Sequence, residues 1–308
     1  MEGEGIEKGG CEVGNVWDCV KVDAHLHLWE KQEGMINGLP VRHVGNGKSM
    51  FLGEVRQMMP PYLEDGRNTA ERLLANMDYA QVNACVVTQE YMDGNQDAYL
   101  KRVRETYPER FRVCSLYEER EDFALEGFDG LKICAGRLAD QDLRKLLPVF
   151  QKVEQAGKFI SIDMADGDAQ VDGLQYLINA CPELRIAIGH FGMVTTDGWQ
   201  RQIALAKNKN VYVESGGLTW LFHKEFYPYP SAVDAILEAK EICGMDKLMW
   251  GSDYPRTMTD ITYRSAVRFL VESEKLSEED KKAFLGENAV RFYGFEGLQP
   301  LPEIGNML

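Results

Sequence analysis

The 308-residue chain has no CxxC pair, only five histidines, and no apolar run near the roughly 18 residues of a membrane span. Its seven cysteines, Cys11, Cys19, Cys85, Cys114, Cys134, Cys181 and Cys243, are odd in number and scattered. That spacing encodes neither a zinc finger nor a disulfide framework. Several lie in apolar runs (NACVVT, FRVCSLY, GLKICAG), where cysteine packs as a small hydrophobe, so a reduced, cytoplasmic chain is the expectation. The opening MEGEGIEKGGCEVGN lacks a basic stretch followed by an apolar core and does not read as a secretory signal. Basic residues are also scarce: 34 Lys and Arg stand against 49 Asp and Glu, a formal charge of −15. A field of that sign repels phosphate backbones and anionic membranes, which excludes nucleic acid and membrane as expected partners. No GxGxxG or P-loop follows an early strand, and VESGG lacks the spacing of a serine nucleophile elbow.

What is present is a regular alternation. Short β-rich runs are expected at Cys19–His25, Asn83–Thr88, Phe111–Tyr117, Gly130–Cys134, Phe159–Asp163, Arg185–His190, Val211–Ser215 and Lys247–Asp253. Helical periodicity separates most of them, as in Leu143, Leu146, Leu147, Phe150 and Val153. Eight strands with interleaved helices in a chain of this length predict a (β/α)8 TIM barrel; a doubly wound sheet is the rival. Residues 1–16 read as a polar N-terminal tail, and 17–308 as one barrel domain. Residues 29–67 read as a long irregular loop after the first strand, where lids and binding loops occur.

The chemistry gathers at predicted strand ends. In VDAHLHLW, His25 and His27 are two residues apart, so both imidazoles project from one side of a strand and can chelate one metal ion. IAIGH ends the sixth strand with His190, and MWGSDYP ends the eighth with Asp253. C-terminal strand ends are where barrels place catalytic groups. Lys132 lies on the fourth strand, and Glu214 ends the seventh, where a carboxylate could orient a ligand imidazole. Arg256, three residues past Asp253, could clamp a substrate carboxylate, while Tyr91, Gln89 and the aromatics Trp220, Phe222, Tyr227 and Tyr229 could wall a pocket.

Together VDAHLHLW, IAIGHFG, MWGSDYP and LGENAVRFYGF resemble the amidohydrolase superfamily, specifically its amidohydrolase-2 branch, over about residues 19–295. The resemblance implies a barrel with one divalent metal at its mouth. His25 and His27 then become ligands, Asp253 a ligand or the group that activates water, and His190 an acid, base or carbonyl-polarising group. Decarboxylase members commonly add a histidine from the fifth strand, where this chain has Asp163 in FISIDMADGD. The implied set is therefore His25, His27, Asp163 and Asp253, with zinc as the metal, manganese as the alternative and metal-free action left open. The expected catalytic residues are His190 and Asp253, and Lys132, Arg256, Tyr91 and Glu214 are expected near substrate.

The reaction so implied is hydrolysis of a carboxylic ester, most concretely a lactone of a sugar acid or of a ring-cleavage product. The alternatives are non-oxidative decarboxylation of an aromatic or enol acid, and a metal-independent lactonase. A barrel that binds without turnover is a third reading, disfavoured by the His and Asp at the strand ends. Partners are a small carboxylate or lactone substrate and, as barrels of this kind often self-associate, a second copy of the chain.

Overall fold

The computed structural model describes residues 16–305 and residue 307, so the expectation of a polar tail falls almost wholly outside the described residues. Val16, the last residue assigned to that tail, is buried in the core. Eight parallel strands form the expected barrel: β1 (Val22–His27), β6 (Ala84–Thr88), β7 (Phe111–Leu116), β8 (Gly130–Cys134), β9 (Phe159–Asp163), β10 (Arg185–Ile188), β11 (Val211–Glu214) and β12 (Leu248–Met249). The last strand is shorter than its sequence suggests. Residues beyond it complete the closure, with Ala24 donating to the Trp250 carbonyl, His27 to Tyr254 and Asp253 to His25. Helices follow most strands, including α1 (Ala70–Tyr79), α2 (Asp97–Thr106), α3 (Leu147–Gln155), α4 (Val171–Ala180), α5 (Trp199–Ala204), α6 (Leu218–Leu221), α7 (Pro230–Cys243) and α8 (Tyr263–Val271). The connection between β7 and β8 has none.

Two layers of core follow from strand alternation. Outward residues such as Val87, Val113, Leu131, Ile160 and Ile186 pack on the helices, while Ala24, Ala84, Val86, Cys114 and Ala187 fill the barrel. The C-terminal helices α9 (Glu278–Lys282) and α10 (Asn288–Tyr293) follow, and Phe292 and Tyr293 of α10 join Phe295 against this inner layer. The opposite end stays open for chemistry.

Residues 33–57 are not an irregular loop. They form a four-stranded antiparallel sheet, β2 (Glu33–Ile36), β3 (Leu39–Gly45), β4 (Lys48–Phe51) and β5 (Glu54–Gln57), in sequential order. Its turns contain Asn37–Gly38, Asn46–Gly47 and Leu52–Gly53, every one of these six residues with positive φ. Asn-Gly at such positions is a strong hairpin signal, and it is legible in the sequence at two of the three. The sheet is tied to the loop after β6, where Met35 donates to Tyr91 and Glu33 to Asp93 through the backbone.

Candidate active site

A break in alternation positions the two histidines of β1. One extra residue lies between Asp23 and Leu26 relative to β6, a bulge. Val22 and Ala24 belong to the barrel interior and Leu26 and Leu28 to the helix layer, while His25 and His27 meet across the mouth. Asp23 anchors the bulge. Its carboxylate accepts from the His25 and Ser252 amides, the Ser252 hydroxyl and the Tyr263 hydroxyl. Burial nevertheless outweighs these bonds and pushes the Asp23 carboxyl up to about 7.

At the mouth, His25 Nε2 and His27 Nε2 are 3.2 Å apart, with Asp253 Oδ1 3.0 Å from the latter and 4.0 Å from the former. A tetrahedral ion with bonds of about 2.0–2.1 Å holds neighbouring ligand atoms about 3.3 Å apart. The spacing therefore fits a shared cation. His25 Nδ1–H donates to the Glu214 carboxylate at 2.5 Å, which leaves the Nε2 lone pair facing the cluster. Burial and the neighbouring Arg256 lower the His27 pKa, favouring the neutral, ligating form. Burial opposes ionisation of Asp253, but His27, His190 and Arg256 hold its carboxyl below the usual range.

Asp163 reaches the same end by a different route. Lys132, wholly buried on β8, lies 2.6 Å from Asp163 Oδ1, and His190 Nε2 lies 3.5 Å from Oδ2. His25, Asp163 and His190 form a second group whose donor atoms lie within 4.8 Å, adjoining that of His25, His27 and Asp253. Burial works against charge on all three members of the Lys132–Asp163–His190 chain, yet their mutual attraction prevails. Asp163 is held well below its ordinary pKa, Lys132 is raised, and His190 is raised to about 10. His190 Nδ1 donates to the Gly216 carbonyl at 2.8 Å, fixing the ring. A third grouping, Glu90, Cys134 and Asp163, is already balanced by Arg137 near Glu90 and Lys132 on Asp163.

Backbone and glycines hold these positions. His190, Phe191, Gly192 and Met193 all have φ between 51 and 63°, a left-handed turn directly after β10, and Asp253 has φ 58°. Side chains at Gly189 and Gly251 would collide with the site: a Cβ at Gly189 falls 2.0 Å from Asp163 Oδ1, and one at Gly251 falls 2.8 Å from His25 Cβ.

The cluster opens into a cavity of about 830 Å³ lined by His27, Asp163, His190 and Asp253. Its apolar wall comes from Met58, Met92, Met164, Met193 and Trp220, and its arginines are Arg137 and Arg256. Of the residues expected near substrate, only Arg256 lines it. Its Nη2 contacts both Asp93 oxygens at 2.8 Å, so the guanidinium is anchored at the wall. Lys132 lies beneath Asp163, Glu214 behind His25, and the Tyr91 hydroxyl donates to the Tyr117 carbonyl, so these three do not line the cavity. Gln89 bonds Asp97 and the Cys114 carbonyl, Tyr227 bonds Glu272, and Tyr229 packs on Phe269. Trp220 alone of the expected aromatics lines the cavity. The sequence reading missed Arg137, Asp93 and the methionine wall, which carry no motif and converge only through the fold.

The amidohydrolase family model matches residues 22–295, so the chain belongs to the amidohydrolase family and is an enzyme. No curated protein matches it. Many solved structures share its fold, among them the following three. One, from Pseudomonas putida and assigned as a 2-pyrone-4,6-dicarboxylic acid hydrolase, is 21% identical with TM-score 0.63, covering 90% of this chain and 98% of that one. An amidohydrolase from Burkholderia multivorans with bound zinc is 15% identical with TM-score 0.63, covering 89% and 99%. A 5-carboxyvanillate decarboxylase from Novosphingobium aromaticivorans, complexed with manganese and 4-hydroxy-3-methoxy-5-nitrobenzoic acid, is 18% identical with TM-score 0.52, covering 74% and 81%. Among the described residues no helix is long and apolar enough to cross a membrane.

Proposed function

We propose that the protein is a metal-dependent hydrolase of a carboxylic ester, most concretely a lactone that itself carries a carboxylate. The observation that carries this reading is the convergence of His25 Nε2, His27 Nε2 and Asp253 Oδ1 beside a cavity that His27, Asp253 and His190 line. His25, His27 and Asp253 would hold the cation, with Asp163 adjoining. When bound, that cation polarises a carbonyl and lowers the pKa of water. Asp253, ionised at neutral pH, accepts the proton of the attacking water. His190, held cationic by Asp163, donates to the oxyanion or to the leaving alkoxide. Arg256, anchored by Asp93, meets the substrate carboxylate, and the methionines and Trp220 exclude water from an apolar ring. That apolar wall favours a ring-cleavage lactone over a sugar lactone. Zinc is the proposed ion and manganese the alternative, in line with the metals named for the two neighbours.

The cationic His190 would equally protonate a carbanion, and this favours a decarboxylase as the second reading. One assay separates the two. Protein loaded with zinc or manganese is offered aromatic lactones and aromatic acids, with acid release and CO2 both measured. Acid without gas from a lactone supports the hydrolase, and CO2 from an acid supports the lyase. Turnover undiminished in the His25→Ala/His27→Ala variant would sink the metal-dependent reading.

A further inference from the structure

Strand β5 is the outer edge of the antiparallel sheet, and all four of its residues are exposed. Among the described residues nothing pairs with its outer side. An uncovered edge is a template for another strand. The turn tells which groups are free. Leu52 and Gly53, at φ 52 and 83°, make a two-residue hairpin turn that closes on a hydrogen-bonded pair, here Phe51 and Glu54. Alternation then makes Met50 and Val55 a non-bonded pair, so Val55 points its N–H and C=O away from β4. Cross-strand register puts Met35 with Pro40 on one side of the sheet and Met50 with Val55 in its other half. Arg42 opposes Met50, so these four share one face. Met35 and Val55 on that face are 57% and 55% exposed.

We propose that β5 pairs antiparallel with β5 of a second copy about a two-fold axis through Val55, joining two four-stranded sheets into one of eight strands. In that register the two Val55 residues exchange both backbone hydrogen bonds, and Glu54 of each copy stands opposite Arg56 of the other. The strand is thus self-complementary in charge, which is what an isologous contact requires. Within one chain Glu54 and Arg56 already lie 3.0 Å apart, so pairing creates an alternating cluster of four charges with no like pair directly opposed. The half-exposed apolar faces of Met50 and Val55 become continuous across the axis. The contact also reaches the active site. Gln57, the last residue of β5, donates to the Asn46 and Met59 carbonyls, and Gln57 and Met58 line the cavity. A paired β5 braces that wall.

Sedimentation velocity on the full chain tests it, with Arg56→Glu, the swapped Glu54→Arg/Arg56→Glu and Val55→Pro as variants on an exposed strand. Thermal melts check that each is folded. A dimeric wild type is expected, with Arg56→Glu raising the dimer dissociation constant about tenfold or more by opposing like charges. Val55→Pro, which loses the outward N–H, should also dissociate, and the charge-swapped double variant should regain the dimer. A monomeric wild type, a dimer that persists in Arg56→Glu or Val55→Pro, or a double variant that stays monomeric would each overturn the proposal.

Discussion

Glu214 accepts the Nδ1 proton of His25 across 2.5 Å, with both side chains sealed from solvent. The carboxylate is itself held by the Gly216 amide, so the imidazole has one orientation and one tautomer. Such a partner sets the basicity and direction of the nitrogen that faces the cluster. Glu214→Gln is therefore expected to fold while binding zinc about 10–100-fold more weakly. Competition with a chromophoric chelator measures this; unchanged affinity would remove Glu214 from the metal site.

Lys132 and Asp163 form a buried ion pair on adjacent strands β8 and β9. Removing only the ammonium leaves Asp163 with His190 as its remaining cationic neighbour. Lys132→Met is expected to lose about 3–5 kcal/mol of stability, and Lys132→Met/Asp163→Asn to recover part of it. Urea unfolding of the metal-free proteins gives both values, and a single variant as stable as wild type would show that the pair does not hold the fold.

In metal-free protein His190 has a raised pKa, about 10, against the opposing effect of burial and because of Asp163. A folded-state value above the unfolded one means that the folded chain binds the extra proton. The resulting stability is fully present below the ordinary imidazole value near 6.5 and is lost as pH rises through about 10. Melting temperatures of the chelator-treated protein should fall over that window, and His190→Asn should flatten this component. An identical slope in the variant would assign the effect elsewhere.

The left-handed turn His190–Met193 places three non-glycine residues where L side chains crowd the backbone. Met193→Gly and Met193→Ala remove the same cavity contact but differ in backbone freedom. The glycine variant is expected to be the more stable by about 1 kcal/mol, reversing the usual order. Chemical denaturation of the pair checks it. An alanine variant equal to or better than glycine would mean that the turn carries no strain.

Much of this was legible along the chain because it depends on local periodicity. His25 and His27 share a side because a strand repeats every two residues, and the buried runs GLKIC and FISID read directly as β8 and β9. His190 and Asp253 were placed by the same reasoning, since strand ends define one face of a barrel. The sheet at 33–57 departs from the irregular loop expected there, although its Asn37–Gly38 and Asn46–Gly47 turns carry a hairpin signal.

What only the tertiary structure decided is which charges meet. Lys132 and Asp163 are 31 positions apart, as their numbers show, yet strand register sets them side by side, with Asp163 committed to a buried ammonium. Arg256 and Asp93, 163 positions apart, join loops after the eighth and second barrel strands, and Tyr91, promising as a pocket residue, spends its hydroxyl on a backbone carbonyl. Periodicity determines which residues face inward, because it acts within one element. Partner choice depends on register and closure between elements, and no local pattern encodes those.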